Sequence, residues 1–498
     1  QIILSNNARF GRSSEKMDNT DQISFMEVDG NIIFFNESEA VCDLSAEEPE
    51  DLEPKPRGKK KVGKKEADMS GLPVNRVNHY MTEEELIAEF GENGWKQLPD
   101  AISKRYKFIP AKVIVTEHHV GVYASKKDNR IVKADYPKAL LKGSPVSASI
   151  AAAIMNGKYV NAVPLYRLEK EFERYGLAIT RQNMANWMIR LGEEYLGTMY
   201  DYLHKLLYDY HVIQADETPV LVNKDGRPAG SQSYMWVYRS GFMYRDRQII
   251  LYEYQKTRNA SHPREFLRDY TGICVTDGYQ VYHTLEKERE DLKIAGCWVH
   301  CRRRFNDALE VIPKAHRKES ILHLIMKQIQ AIYREEGKLS DFSTEDRLMQ
   351  RQLVVKPLVD AFFAYLKQNE PKIPKNGKIR EAFTYALNQE SYLKVFLEDG
   401  DVPIDNNASE RAIRGFCIGK KNWEMIDTVN GANSSAIIYS IAETAKANNL
   451  KPFDYFEYLL TEIPKHVDDK NTDFLAELLP WSDMLPENIR KPQKASGK

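Results

Sequence analysis

The apolar and polar positions change their spacing several times along the chain. Residues 1–75 carry no core-forming period. An acidic cluster (Glu47, Glu48, Glu50, Asp51, Glu53) runs into a basic one (Lys55, Arg57, Lys59, Lys60, Lys61, Lys64, Lys65), with Pro and Gly in both. Such a composition stays solvated, so 1–75 reads as a disordered charged linker, with a basic arm that holds phosphates as the other reading. A small mixed region follows over 76–146, in which 109–117 and 119–124 are apolar enough to predict two β-strands. Residues 147–207 are strongly helical: 165–175 is amphipathic, Gly176 supplies a turn, and Thr180 is placed to cap a helix beginning at Arg181. That outline is helix-turn-helix-like, although a plain helical hairpin has the same pattern.

Over 208–311 short apolar runs appear at 211–215, 234–238, 248–254, 272–276 and 292–298. Helical stretches follow the third, fourth and fifth, at 263–270, 279–287 and 300–311. Three strands in series and then alternating helix and strand predict an α/β fold, a mixed sheet with helices on its faces, in the order of an RNase H-like domain. Residues 312–400 read as a charged helical insertion, and 401–464 as C-terminal helices that complete the core, with a helical block at 406–449. The remainder, 465–498, reads as a loosely packed tail.

Composition narrows the function classes. The 498 residues suit two to four domains, and 42% hydrophobic residues with 27 Tyr can fill a core. Lys+Arg at 71 against Asp+Glu at 72 leaves a formal charge of −1, so any nucleic-acid site must come from local clustering. The five cysteines form no C-x-x-C pair, which argues for a reducing compartment and against a disulfide framework or zinc ribbon. With no signal peptide and no long apolar run, a soluble cytoplasmic protein is expected. The chain opens on Gln1, which suggests a segment missing from its front.

The chemistry concentrates in three carboxylates. Asp216 follows the run ending at Ala215, and Asp277 follows the run ending at Thr276, so both are predicted at strand ends, where ligands collect in open sheets. Glu410 lies in a segment that opens with capping residues and continues as a helix, sharing a face with Arg414. Singly, each acid has an ordinary structural reading as a turn or first-turn residue. Together they suit two Mg²⁺ ions, hard cations that take carboxylate oxygens and serve phosphodiester cleavage by in-line displacement. Unmetallated, such acids repel one another and resist ionising.

At these residues the sequence resembles the transposases of the insertion sequence 66 family. The likeness runs from Arg9-Phe10-Gly11-Arg12 to Pro452-Phe453-Asp454-Tyr455, and its most specific parts surround the acids. They are Ala215-Asp216-Glu217-Thr218-Pro219, Thr276-Asp277-Gly278-Tyr279, the stretch Gly296-Cys297-Trp298-Val299-His300-Cys301 with Arg302, Arg303, Arg304 and Phe305, and Asn406-Asn407-Ala408-Ser409-Glu410-Arg411, joined by the block from Gly431 to Lys446. The resemblance implies a DDE triad of Asp216, Asp277 and Glu410 as catalytic and metal-binding residues. The 133 positions between the last two acids agree with the helical insertion the family carries there. It implies two Mg²⁺ (or Mn²⁺) ions, freeing of 3′-OH ends of a bacterial mobile element, and their attack on target DNA. The implied partners are double-stranded DNA (terminal inverted repeats and target), further copies of the chain assembled on DNA, and accessory proteins of the same element. The implied location is cytoplasmic, at the nucleoid, without membrane contact. The sequence departs from the family at the front, where relatives carry a longer coiled-coil-like segment. It departs again at Ser125 and Asp128, which stand where relatives have a C-x-x-C, so 76–146 reads as degenerate zinc-finger-like and no zinc is predicted.

Several residues are candidates for DNA contact. Arg181, Gln182, Asn183 and Asn186 open the second helix of the helix-turn-helix outline, where base-reading side chains are usually placed. His300 and Arg303 follow the fifth strand and suit a phosphate or flanking base, with Trp298 beside them more in keeping with a core residue. Arg411, Arg414, Lys420 and Lys421 follow the third acid as a backbone-holding set or, alternatively, a solvated helix face. Cys297, His300 and Cys301 lack the second ligand pair that a metal site needs. Besides an active transposase, a DNA-binding protein without catalysis and an RNase H-like nuclease or resolvase remain open readings.

Overall fold

Tertiary contacts divide the chain into two units, Gln1–Pro110 with Ala495–Lys498, and Ala111–Lys494. The structure is a computed structural model. It describes residues 74–100, 102–105, 111–126, 130–228, 230–469 and 471–492, with the backbone of two further strands at 24–28 and 31–35. In the first unit these strands, β1 (Ser24–Val28) and β2 (Asn31–Phe35), pair antiparallel with Val28 opposite Asn31. Asp29-Gly30, between them in the sequence, is a dipeptide of the kind that favours tight turns, which the linker reading of 1–75 did not mark. The charged clusters at 47–65 lie outside the described residues. Helix α1 (Glu83–Phe90) opens on a reciprocal capping box between Thr82 and Glu85.

In the second unit, residues 111–117, the described part of the first expected strand, form no strand, and Ile114 and Val115 stand 80% and 87% exposed. An apolar run with no face to bury has nothing to hold it extended. Of the second expected strand only β3 (Val122–Ala124) forms, pairing with β4 (Ile131–Lys133). The Ser125 amide donates to the Arg130 carbonyl across this hairpin at 2.7 Å, and Asp128 lies outside the described residues.

Helices α2 (Ala148–Met155), α3 (Leu165–Arg174), α4 (Arg181–Leu191) and α5 (Gly197–Leu207) follow, as the periodicity predicts. Gly176 makes the turn after α3 with φ +81°, and Thr180 caps α4 by accepting from the Asn183 amide at 3.2 Å. Leu168 and Phe172 of α3 and Met184, Trp187, Met188 and Leu191 of α4 are buried.

The sheet has the order β7-β6-β5-β8-β9. Strands β5 (Val212–Lys224), β6 (Gln232–Ser240) and β7 (Ile250–Gln255) form an antiparallel meander. After α6 (Ser261–Phe266), strand β8 (Gly272–Thr276) runs parallel to β5; after α7 (Gln280–Glu288), β9 (Leu292–Gly296) runs parallel to β8. Apolar side chains alternate between two cores: Ile213, Ala215 and Cys274 face one, Val212, Ile273, Val275 and Ala295 the other. Helices cover both faces, which makes a three-layer α/β body.

β5 outlasts its expected end at residue 215 by nine residues, because β6 pairs with it as far as Leu221 opposite Gln232. Pro219 is tolerated there because the β8 ladder stops at Gln214, leaving that edge free of a hydrogen-bond demand. The fifth apolar run ends as helix: α8 (Trp298–Val311) starts directly after β9.

The insertion consists of α9 (Ile321–Gly337), α10 (Thr344–Gln350), α11 (Lys356–Asn369), α12 (Lys378–Asn388) and α13 (Glu390–Lys394). Two buried arginines close it. Arg347 donates to the carbonyls of Leu339, Phe342 and Gly400, and Arg351 to those of Phe396 and Asp399 while pairing with Glu336 at 2.5 Å. His211, just before β5, bonds Asp399 at 2.6 Å, so the end of the insertion returns to the start of the sheet.

The chain finishes with α14 (Asn407–Trp423), the short strand β10 (Ile426–Thr428) beside β5, α15 (Val429–Ala447) and α16 (Pro452–Glu462). The helical block expected over 406–449 is thus broken near Glu424, whose φ is +60°. Gly192 allows the segment after α4 to touch α15, for a Cβ there would meet Ser434 Oγ at 2.6 Å. The tail expected to be loose packs back instead: Leu475, Leu478, Leu479, Leu485 and Ile489 are buried, and Tyr455 donates to the Leu478 carbonyl. Its apolar positions have a partner in α16, which a local reading does not reveal.

Arg351→Ala leaves the largely covered Glu336 without an ion-pair partner among the described residues, and breaking such a pair costs up to about 3–5 kcal/mol. Amide exchange in α9 is expected to quicken by the corresponding factor; unchanged exchange contradicts this account of the insertion.

Candidate active site

Strand register brings the first two acids together. Gln214 stands opposite Val275 as the last β5–β8 pair, and Asp216 and Asp277 each lie two residues further on. Equivalent positions on adjacent parallel strands share a face about 4.8 Å apart, so both carboxylates leave the sheet side by side. Asp216 is therefore inside β5 rather than at its end, where parallel pairing stops although the strand continues. Local turns hold both acids: the Glu217 amide donates to Asp216 Oδ1 at 2.8 Å, and the Tyr279 amide to Asp277 Oδ1 at 2.9 Å.

The third acid arrives on α14, fixed by Asn406. This fully buried residue does not cap the helix with its side chain. Its Nδ2 donates to the Ala215 carbonyl at 2.8 Å, its Oδ1 accepts from Gln214 Nε2 at 3.1 Å, and its amide donates to Cys297 Sγ at 3.2 Å. Asp405 takes the capping role, accepting from the Asn407 amide. Arg239, buried, donates to the Ala408 carbonyl, and Tyr252 OH to the Ala412 carbonyl. Glu410 thereby comes within electrostatic reach of Asp216.

Burial, with the charges of Glu217, Asp277 and Glu410, holds the Asp216 carboxyl well above the usual range. Burial and then Asp277 push Glu217 up to about 7, against the pull of Arg258. The Arg258 guanidinium bonds Glu217, lies 3.9 Å from Asp277 Oδ2, and stacks on the Tyr279 ring at 3.7 Å. Neither Glu217 nor Arg258 was among the residues singled out in the sequence. An acid on the inward face of a strand signals a need for a partner, which would have found Glu217; nothing in the sequence marks Arg258, 41 positions away.

The other expected residues divide. His300 Nε2 and Arg303 Nη2 lie 3.9 and 3.8 Å from the Glu410 oxygens, so both join the acids. Burial holds the His300 ring below its ordinary pKa, towards the neutral form. Trp298 is buried in the insertion core and donates to the Leu393 carbonyl. Lys420 donates to the Pro219 carbonyl, tying α14 to β5. Arg411 lies over the Phe242 ring, and Arg411, Arg414 and Lys421 are exposed. Arg181, Gln182, Asn183 and Asn186 are exposed on α4, and the structure brings no acid of the cluster to them.

Ligand atoms of Cys297, His300 and Glu410 lie within 4.8 Å of one another. Burial pushes the Cys297 thiol up to about 12, and its sulfur already accepts from Asn406, so it is a poor ligand. Of these three groups, the Glu410 carboxylate suits a hard cation best. Glu410 Oε1 is buried and has no hydrogen-bond partner among the described residues, an acceptor that a bound cation satisfies.

A mixed sheet with helices on both faces, whose Asp216 feels the charges of Asp277 and Glu410, defines an α/β protein with an acidic cluster. The model described as "Transposase IS66 family" matches residues 143–434, and that of the IS66 C-terminal element matches 440–481. The chain belongs to the IS66 transposase family. It is similar to three uncharacterized proteins of Sinorhizobium fredii (strain NBRC 101917 / NGR234). Protein y4qI is 28% identical over 76% of this chain and 70% of its own length. Proteins y4jD and y4hP are 25% and 22% identical, each over 78% of this chain and over 76% and 72% of their own lengths.

The metal-free protein should lose stability as pH rises. Asp216, Glu217 and Glu253 bind protons more tightly folded than unfolded, so their contribution is complete below the unfolded value of 4.5 for Glu and is lost through about 7 for Glu217 and Glu253. His204, His262, His283 and His300, lowered by burial, act oppositely and only below about pH 6.5. Between about pH 6.5 and 8 the melting temperature is therefore expected to fall, and Mg²⁺ to restore the part of the loss that comes from Asp216. A flat profile that ignores Mg²⁺ would contradict this picture.

Proposed function

We propose that the protein is a DDE transposase with an RNase H-like catalytic domain, which cleaves DNA at the ends of a bacterial insertion sequence and joins the freed ends to target DNA. The observation that supports the reading is that Asp277 and Glu410 lie within electrostatic reach of Asp216, with Glu410 Oε1 buried and accepting no hydrogen bond among the described residues. Family membership and the sheet order, three antiparallel strands followed by two parallel ones, support it.

In this reading Asp216, Asp277 and Glu410 hold two divalent cations, Mg²⁺ or Mn²⁺. Such a pair, when bound, activates the attacking oxygen and stabilises the departing one. The protein's own groups do the rest. Arg303 offers a guanidinium fork to the scissile phosphate from beside Glu410. His300, held neutral, limits positive charge next to Glu410 and leaves its oxygens available to a cation. Arg258 balances Glu217, so that the acid behind Asp216 does not add a further uncompensated charge. The exposed first turns of α4, with Arg181, Gln182, Asn183 and Asn186, supply contacts to the terminal repeats, and Arg411, Arg414 and Lys421 hold backbone phosphates. A homo-oligomer on DNA, working with accessory proteins of the same element, completes the proposal.

Purified protein incubated with end-labelled element DNA and Mg²⁺ is expected to nick and then join it. Asp216→Ala, Asp277→Ala and Glu410→Ala should each lower cleavage by on the order of 10³-fold, roughly 4 kcal/mol of transition-state stabilisation, while leaving DNA binding in place. Binding without nicking by the unaltered protein refutes the enzyme reading; nicking never followed by joining reduces it to a nuclease. Cleavage that survives Asp216→Ala or Glu410→Ala refutes the site.

A further inference from the structure

Beside the acids, on the insertion side, lies an open cleft of about 630 Å³ that none of the proposed contacts uses. Its lining includes Gly278, Arg304, Lys375, Arg380, Tyr385 and Gln389. It starts one residue beyond Asp277, because Tyr385 of α12 donates its hydroxyl to the Asp277 carbonyl at 3.0 Å. Gly278 permits that approach: its φ is +90°, and a Cβ there would meet Tyr385 Oη at 2.9 Å and Gln389 Oε1 at 3.1 Å.

The chemistry of the walls is specific. Arg304 projects from α8 with its guanidinium 4.4 Å from the Tyr385 ring centre, an aromatic–cation pair that offers a flat face. Arg304 and Lys375 are exposed and have no ion-pair partner among the described residues. Arg380, by contrast, is spent on the carbonyls of Glu370, Ile373 and Pro374, which fixes the loop bearing Lys375. Lined by these groups, and by Glu381, which pairs with Lys378, the cleft combines positive charge at Arg304 and Lys375 with a stacking surface.

We infer that this cleft binds a single-stranded nucleotide of the DNA next to the scissile phosphate, its base against the Arg304–Tyr385 pair and its phosphate at Lys375. The volume lies within the range of small-ligand sites, large enough for a nucleotide and too small for a duplex. Base stacking on such a platform tolerates any sequence, and the flanking cations track the backbone. The insertion thus adds a strand-holding subsite to the carboxylate centre. The inference rests on the DNA-cleavage reading, and only the DNA strand is asked to enter the cleft.

The test uses the full chain in EDTA, so that no cleavage intervenes, and two fluorescein-labelled duplexes of one sequence, one blunt and one with a short single-stranded thymidine overhang. Fluorescence anisotropy is expected to show overhang DNA binding about tenfold more tightly than blunt DNA, within what one stacked base contributes. Arg304→Ala and Lys375→Ala, both at exposed positions, should each erase most of that preference while leaving blunt-duplex affinity nearly unchanged. Equal losses on both probes, or no preference in the unaltered protein, overturn the subsite. Cleavage in Mg²⁺ by a protein without overhang preference refutes the subsite alone. Overhang preference in a protein that never cleaves supports the subsite and refutes the catalytic reading.

Discussion

The site depends on the side chain of one buried asparagine. Asn406 joins the Ala215 carbonyl, the Gln214 amide and Cys297 Sγ, so a single residue links β5, the β9–α8 junction and the start of α14. Each hydrogen bond contributes only about 0.5–1.5 kcal/mol, but a buried partner left without one costs about 1–3 kcal/mol. The arrangement is therefore all-or-none: a shift of α14 strands several buried groups together. This matters because Glu410 follows Asn406 by one helical turn, while 133 positions of chain separate it from Asp277. The position of the third acid is set by that junction and not by the length of the insertion.

Gathering acids in a buried place opposes folding, and the structure contains the opposition in two ways. Asp216 and Glu217, adjacent on a strand, point to opposite faces, so only one enters the cluster directly. Glu217 is paired with Arg258, whose guanidinium also lies near Asp277 and is held flat by Tyr279. Asp216 receives no such partner among the described residues and stays above the ordinary carboxylate range. The acid without a cation is thus the one at the centre, and divalent metal is the species whose charge matches that deficit.

Much of this was legible where local pattern decides. The bounds of β8 agree with its apolar run, Thr180 caps α4 as its position suggests, and Asp277 and Glu410, two of the acids the motifs mark, lie within electrostatic reach of the third, Asp216. The sequence misled where distant partners decide. β5 runs on through Pro219 because β6 continues beside it, whereas 111–117 stays irregular because no strand meets it. Asn406 reads locally as a helix cap but is spent across the sheet, and Lys420 reads as a phosphate contact but bonds the Pro219 carbonyl. The Arg258–Glu217 pair and the packing of residues 475–489 have no local signature at all.

The insertion is part of the α/β body, since the apolar core on its side is built from both. Val212, Ile273, Val275 and Ala295 of the sheet share that core with Ile325 and Ile329 of α9, Phe362 and Phe363 of α11 and Phe383 of α12. The face bearing these sheet residues also bears Asp216 and Asp277, by the two-residue period of the strands. Whatever covers that face must stop short of the acids, and α12 does so through the Tyr385–Asp277 contact, which ends the apolar layer at Gly278 and leaves an open, charged cleft. A helical segment placed between the second and third acids in sequence therefore serves both to bury one side of the sheet and to shape the ground beside its carboxylates. Its removal would expose the sheet before it simplified the site.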